Sequence, residues 1–174
     1  MAYDTTLTVS LTTSATILNY INTLRQGSKA EGVLFWDVLR DWVTRKNVTA
    51  LKFSPLADFD NDTDNAFDAI SNGATTLYGF YADNNANTAQ EYVKLYNATA
   101  PTIGTTVPDV VVYIPGTTTG AVTGEGAYAL GRYYHLFVPG IRFATNLSGA
   151  CVTVGGTTGT TDPTSNVNGM LIHT

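Results

Sequence analysis

Aspartates occupy every second position from Asp58 to Asp64, the pattern by which calcium-binding loops present oxygen ligands. An EF-hand loop that began at Asp58 would need a glycine at the position of Thr63 and a bidentate glutamate at the position of Ala69. A loop that began at Asp60 meets the same two conflicts. The pattern therefore favours a solvated acidic loop, and a weak calcium site is the alternative.

Nucleophilic catalysis requires a base, and the chain has only two histidines, His135 and His173. His135 lies in an aromatic stretch typical of a strand, and His173 is next to the last residue. The single cysteine, Cys151, excludes an intrachain disulfide and stands between Ala150 and Val152. We expect it to be a small buried apolar residue rather than a nucleophile. The sequence therefore predicts no nucleophile–base pair.

Glycoside hydrolysis needs two carboxylates across a cleft. After residue 70 the chain has five acidic residues, each in or beside a predicted turn: Asp83, Glu91, Asp109, Glu125 and Asp162. No spacing singles out a pair, and Asp109 with Glu125 is only the most accessible combination. A hydrolase that acts on surface glycans is therefore the weakest function considered.

Two glycine-rich stretches also fail as cofactor sites. Residues 124–131 lack the spacing of a dinucleotide fingerprint, and residues 155–160 lack the lysine of a phosphate loop. The sequence therefore predicts no catalytic residues, no cofactor and no metal site, and a protein that is not an enzyme.

Composition narrows the function classes further. Only 13% of the 174 residues are charged, about half of the ~25% that is usual for soluble domains, while 44% are hydrophobic. The net charge is −5, and the nine lysines and arginines are scattered, so no basic stripe is available to neutralise nucleic-acid phosphates. The apolar runs are far shorter than the ~20 residues that span a bilayer. We expect neither nucleic-acid nor membrane binding and, because the start lacks a signal-peptide pattern, synthesis in a cytoplasm.

The charges divide the chain into two parts near residue 70. Residues 1–70 hold six of the nine basic and nine of the fourteen acidic residues. The 29 threonines, 16 glycines and 13 asparagines of the chain suit strands and turns. We predict a mixed α/β segment over 1–70 and a β-sandwich domain over 71–174.

Two helices are predicted in the first segment. Ser14 is placed to cap a helix that ends at Gly27. A second helix is predicted around Phe35, Val38, Leu39 and Trp42, which follow the spacing of one helix face, with Trp36 and Val43 beside them. An extended stretch over 48–53 follows, and Pro55 is expected to end it.

Short strands are predicted from residue 75 onward, because apolar and polar residues alternate between turn-like clusters. The predicted strands are 75–82, 91–96, 109–114, 132–138, 141–145, 149–154 and 167–173. No helix-length segment separates them, which excludes a parallel βαβ arrangement and favours an antiparallel sandwich. The loop over 116–131 is long for a hairpin and is therefore a candidate functional loop.

Several segments after residue 76 resemble small virion proteins of tailed bacteriophages, including those of cyanophages. The segments are Leu77-Tyr78-Gly79-Phe80-Tyr81-Ala82-Asp83-Asn84, Tyr92-Val93-Lys94-Leu95-Tyr96, Gly104-Thr105-Thr106-Val107-Pro108, Gly140-Ile141-Arg142-Phe143-Ala144 and Ala150-Cys151-Val152-Thr153. The resemblance covers about residues 76–174, and the stretch 116–134 departs from it.

This resemblance implies a jelly-roll-like β-sandwich and a structural role. It implies a capsid decoration (cement) protein on the phage head surface, a homotrimer whose partner is the assembled major capsid protein. Residues 1–70 lie outside the resemblance and are expected to supply the capsid-binding or trimer-forming part. The alternative is a carbohydrate- or receptor-binding module of a fibre, tail or baseplate, which the eight tyrosines after residue 70 also suit.

Overall fold

The computed structural model describes residues 9–27, 30–59, 68–117 and 131–174. Within these ranges the chain is mainly β, with nine strands and two helices. The helices are α1 (Ser14–Gly27) and α2 (Ala30–Lys46). The strands are β1 (Val9–Leu11), β2 (Leu51–Phe59), β3 (Asp68–Ala69), β4 (Thr75–Asp83), β5 (Glu91–Tyr96), β6 (Val110–Ile114), β7 (Arg132–Phe143), β8 (Ser148–Val152) and β9 (Val167–His173).

The strands form two antiparallel sheets. Sheet A has the order β1-β2-β9-β4-β7, and sheet B has the order β3-β8-β5-β6. From β2 onward the strands pair first with last: β2 with β9, β3 with β8, β4 with β7 and β5 with β6. One long antiparallel ribbon folded over itself gives this pairing, which is the eight-stranded jelly roll. The predicted antiparallel jelly-roll sandwich is therefore confirmed, and β1 is an extra strand at the edge of sheet A.

The main core lies between the two sheets. It is built from alternate side chains of facing strands, as two packed sheets require. Each large apolar side chain that is fully buried here contributes about 1.5–3 kcal/mol to stability. The buried members are Leu77, Phe80, Ala82, Val93, Leu95, Val112, Ile114, Phe143, Leu147, Cys151, Val167 and Leu171.

A second core lies on the other face of sheet A, under the two helices. Tyr20 of α1 packs edge-on against Phe53 of β2, with ring centroids 4.8 Å apart. Phe35 of α2 packs against Tyr134 of β7 at 5.4 Å. Sheet A is thus buried on both faces, and the molecule has three layers. The buried members of this core are Ile17, Ile21, Leu24, Phe35, Trp36, Leu39, Val43, Leu51, Phe53, Met170 and Ile172.

The buried face of α2 differs from the one that the spacing predicts. Val38 is 44% exposed and Trp42 is only half-buried, whereas Trp36 and Val43 are core residues. Both sets fit helical spacing, since 36, 39 and 43 lie on one face as well as 35, 38, 39 and 42 do. Packing against α1 and sheet A buries Phe35, Trp36, Leu39 and Val43 and leaves Val38 exposed.

The start of α1 also differs from the prediction. The Thr13 hydroxyl accepts a hydrogen bond from the Thr16 amide at 3.2 Å, which makes Thr13 the capping residue. Ser14, the predicted cap, donates its hydroxyl to the carbonyl of Val48 at 2.7 Å instead. The Ser14 contact joins the start of α1 to the segment that follows α2.

The expectation that Pro55 ends the extended stretch is wrong. β2 continues from Leu51 to Phe59, and Pro55 pairs with Met170 of β9. The described part of β1 reaches only as far as Phe53 on the other side of β2. Proline is tolerated in a strand where its missing N–H is not required by a neighbour.

The two predicted strands 132–138 and 141–145 are one strand, β7. Gly140 lies within it at φ +120°, where a Cβ would meet the ring of Tyr78 at 2.8 Å. The pairing of β4 with β7 shifts register between Leu77 and Gly79, next to this point. An irregularity of this kind bends a strand without ending it.

The sandwich extends upstream of residue 71. β2 supplies the partner of β9 in sheet A, and β3 pairs with β8 in sheet B. The described part of 1–70 holds both helices and strands β1 to β3, and these strands belong to the same two sheets as those of 71–174. The two parts therefore share one structural unit.

The two tryptophans of α2 provide a test of the helix layer. Trp36 is 1% exposed, so Trp36→Ala is expected to lower the free energy of unfolding by about 3–5 kcal/mol. Trp42→Ala is expected to cost less than half as much, because Trp42 is only half-buried where it packs against Tyr78, at 4.8 Å between ring centroids. Urea unfolding measures both. An equal or greater loss for Trp42→Ala would contradict the placement of the buried face.

Candidate functional site

The aspartate loop lies mostly outside the described residues, which omit 60–67. The calcium alternative for this loop therefore stays a prediction. Glu125 and most of the long loop over 116–131 also lie outside the described residues, which omit 118–130.

His173 is buried in sheet A within a small polar network. Its Nε2 lies 2.8 Å from the Ser54 hydroxyl, and its Nδ1 lies 3.0 Å from the hydroxyl of Thr75. Burial lowers the pKa of His173 to about 4, so the ring is neutral at pH 7. Ser54 and His173 have the spacing of a nucleophile and a base, but both are buried, and the second ring nitrogen faces a hydroxyl rather than a carboxylate. We assign this network a structural role rather than a catalytic one.

The structure does not bring a cysteine and a histidine together. Cys151 is buried in the core between the sheets, as predicted. His135 is exposed on β7, where its ring lies beside Tyr133 and 4.6 Å from the ring of Phe137. His173 is surrounded by the hydroxyls of β2 and β4.

Two of the described carboxylates after residue 70, Asp83 and Asp109, are engaged by other groups. Asp83 forms an ion pair with Arg132 at 3.1 Å. Asp109 accepts a hydrogen bond from the amide of Asn97 at the far end of β5 from Glu91. A strand of this length separates Glu91 and Asp109 by about 20 Å, whereas glycosidase carboxylates lie within ~10 Å of each other.

Polar side chains gather at one end of the sandwich, where β4 ends and β5 begins. Two buried asparagines join three segments there. Asn84 donates to the carbonyls of Ala89 and Pro115, at 3.1 and 3.2 Å. Asn87 donates to Asn84 Oδ1 and to the carbonyl of Ser165, both at 2.7 Å. This asparagine clasp (Asn84 and Asn87) fixes the β4–β5 connection against the segments that follow β6 and precede β9.

A pocket of about 200 Å³ lies beside the asparagine clasp. It is lined by Ala86, Asn87, Thr88, Ala89, Glu91 and Thr164. Glu91 is 1% exposed, and its Oε2 has no hydrogen-bond partner. Burial raises the pKa of this carboxyl to about 7. We call this site the Glu91 pocket; it is the most unusual polar site among the described residues.

Lys94, three residues along β5, is fully buried on the opposite face of sheet B. Its ammonium group donates to the carbonyl of Gly159 at 2.6 Å and to that of Thr157 at 3.4 Å. These bonds hold the connection between β8 and β9 over the outer face of sheet B. Burial lowers the pKa of Lys94.

The outer face of sheet B carries exposed apolar side chains at its β6 edge. Val111 and Tyr113 are 41% and 44% exposed, and the Tyr113 ring lies edge-on to Tyr92, with centroids 5.7 Å apart. Val154 is also exposed. The next residue, Gly155, lies so close to the Tyr92 ring that an added Cβ would be 2.9 Å from it. We call these four residues the β6 patch: Tyr92, Val111, Tyr113 and Val154.

Sequence reasoning missed both the Glu91 pocket and the buried Lys94. The strand over 91–96 was predicted with its observed bounds, and in it each charged residue stands among apolar ones. A charged residue among apolar residues of a strand is the sequence signal for a buried charge. It does not reveal that Glu91 and Lys94 lie on opposite faces and are covered by different loops.

Comparisons with known proteins do not extend these observations. No family model, no curated protein and no solved structure matches the chain. Neither described helix is long and apolar enough to span a bilayer. Among the described residues, no three His, Cys, Asp or Glu side chains cluster in a way that suits a metal ion.

Glu91 predicts a pH-dependent difference in stability. The folded pKa of about 7 lies above the ordinary value of 4.5, so the folded state keeps this proton between those pH values while the unfolded state releases it. The stability associated with the protonated carboxyl is therefore present below pH 4.5 and lost as the pH rises through 7. Glu91→Gln should thus gain stability relative to the wild type across this range and reach a plateau above it.

Urea unfolding of both proteins at pH 4, 6 and 8 measures this difference. Asp41→Asn, at a half-exposed carboxylate on α2, is the matched control and should show no comparable gain. A difference between Glu91→Gln and wild type that is the same at pH 4 and pH 8 would contradict the perturbed carboxyl.

Proposed function

We propose that this chain is a structural virion protein, a capsid decoration protein that binds the assembled major capsid protein lattice. The jelly-roll sandwich with the exposed β6 patch carries the proposal, because it offers an apolar contact surface on a rigid sheet. Jelly rolls occur in viral capsid proteins. The resemblance of residues 76–174 to small phage virion proteins points the same way.

The scarcity of charge supports a role in contact. A charge-poor surface costs little to desolvate, because few ionised groups must leave water when it is covered. Interface cores are depleted in charge and enriched in aromatic side chains, as the β6 patch is. Tyr92 and Tyr113 combine apolar area with a hydroxyl that can bond across an interface.

A decoration protein stabilises a shell by binding only its assembled form. Any ligand that binds one state of an equilibrium shifts the equilibrium toward that state, so a bound decoration protein opposes disassembly of the lattice. A trimer strengthens weak subunit contacts, because the second and third contacts form at high effective concentration. We therefore propose a homotrimer on the head surface.

A carbohydrate- or receptor-binding module of a fibre, tail or baseplate is the second candidate. The exposed ring of Tyr113, which lies edge-on to half-buried Tyr92, favours it, because aromatic faces stack on sugar rings, and jelly rolls also occur in lectins. A glycan array separates the candidates. Binding that Tyr113→Ala abolishes would favour this module, whereas capsid binding without glycan binding favours decoration.

Capsid binding by a charged variant of the β6 patch tests the proposed surface. Tyr113→Glu should weaken binding to stripped mature heads at least tenfold, because it places an unpaired carboxylate in the contact. Leu34→Glu on α2 is the matched control, since Leu34 is 69% exposed on the opposite side of the molecule, and it should bind as the wild type does. Co-sedimentation with the heads measures both.

The outcomes of this experiment are distinct. Loss of binding in Leu34→Glu alone would assign the contact to the helix layer. Failure of the wild-type chain to bind heads that accept a control decoration protein would overturn the decoration role itself.

The mass in solution tests the proposed trimer. Light scattering behind size-exclusion chromatography should give about three times 18.6 kDa for the purified chain. A monomer that persists at high protein concentration would contradict a preformed trimer, and assembly would then have to take place on the lattice.

A further inference from the structure

Glu91 is a buried acid whose Oε2 takes part in no hydrogen bond of the fold. The residue is 1% exposed. A buried polar group without a partner costs about 1–3 kcal/mol, and more when it is charged. Because nearly all buried polar groups in proteins are paired, an orphan of this kind requires an explanation.

The neighbouring amide cannot satisfy the carboxyl. Both N–H groups of the Asn87 side chain are directed elsewhere, one to Asn84 Oδ1 and one to the carbonyl of Ser165. The Asn87 side-chain oxygen accepts from the amide of Ser165 at 2.8 Å. The asparagine clasp therefore holds the wall of the pocket in place and donates nothing to Glu91.

No described cation neutralises Glu91 either. Lys94 lies on the other face of sheet B and donates to the loop carbonyls there. Arg132 is paired with Asp83. The residue opposite Glu91 on β6 is Ile114, and none of the other residues that line the pocket is titratable. Desolvation is accordingly the cause of the shift in the Glu91 pKa.

The Glu91 pocket opens to the surface of the molecule. The pocket holds about 200 Å³, and Ala86, Thr88, Ala89 and Thr164 on its wall are solvent-exposed. Its backbone wall is fixed on one side by Gly116, where a Cβ would lie 2.1 Å from the carbonyl oxygen of Ala89. A larger residue at 116 would displace that wall.

We propose that the Glu91 pocket binds an alkylammonium group, that of a lysine side chain presented by a partner protein. The carboxylate supplies the negative charge, and the hydroxyl of Thr164 on the wall supplies a further acceptor. An ammonium group has three N–H donors and no acceptor, so it complements a wall of this kind. The orphan oxygen gains a charge-assisted hydrogen bond.

The size and charge of the pocket argue against other ligands. Pockets for drug-sized molecules measure about 300–1,000 Å³, so 200 Å³ suits one functional group on a short stem. Calcium takes six to eight oxygens, usually with several carboxylates, and Glu91 is the one carboxylate among the residues that line this pocket.

Titration of the intact chain with small probes tests the proposal. At pH 8, n-butylammonium chloride should cause saturable NMR shifts of the amides of Thr88, Ala89 and Glu91. Butan-1-ol has the same shape without charge, and tetramethylammonium has the charge without N–H donors. Neither should shift these amides. Nα-acetyl-lysine methylamide, which presents only the side-chain ammonium, should bind as butylammonium does.

Variants and pH make the test specific to the carboxyl. Glu91→Gln should weaken butylammonium binding at least tenfold while keeping the wild-type fold, because glutamine has nearly the same shape. Thr164→Val, which removes one hydroxyl of the wall, should weaken it severalfold. Lowering the pH to 5, well below the Glu91 pKa of about 7, should weaken wild-type binding at least tenfold, because the carboxyl is then protonated.

Three results would overturn the proposal. Equal shifts with butan-1-ol would show a merely apolar pocket. Localised shifts with calcium chloride but not with butylammonium would show a metal site. Binding of butylammonium without binding of the lysine derivative would show a site for free amines. Because the probes act on the isolated chain, the result is independent of whether the chain binds capsids.

Discussion

Strand β9 is the element on which the rest of the structure depends. It lies between β2 and β4 in sheet A and therefore joins the helix-bearing N-terminal part to the remainder of the sandwich. Its side chains enter both cores, with Val167 and Leu171 between the sheets and Met170 and Ile172 under the helices. A strand buried on both faces is apolar along its length rather than alternating. Because β9 pairs with β2 and β4, which lie far earlier in the sequence, long-range pairing must complete the fold.

The charges of β5 show how the same strand serves two different surfaces. Glu91 is buried at the end of the sandwich where the asparagine clasp joins three segments. Lys94 is buried under the connection that leads to β9. The lysine is satisfied by carbonyls and is structural, whereas the glutamate is unsatisfied and lies beside an open pocket.

The two proposed contact sites lie on different parts of the sandwich. The β6 patch is apolar and lies on the outer face of sheet B, and the Glu91 pocket is polar and lies at the loop end. An apolar patch provides area and a buried charge provides specificity, since a charge left unpaired strongly disfavours a wrong partner. A protein whose role is contact benefits from both. The buried Ser54–His173 pair does not contribute to either site.

The sequence by itself determined the fold class, most strand positions and the end of α1 at Gly27, because alternation, helical spacing and turn residues are local signals. It also placed Cys151 in the core. Only the tertiary structure decided which face of α2 is buried, since Val38 and Val43 fit helical spacing equally well. It likewise decided that Pro55 lies within a strand and that Glu91 is left without a partner. These outcomes depend on which distant segments meet, and that information is in the packing of the whole chain rather than in any window of residues.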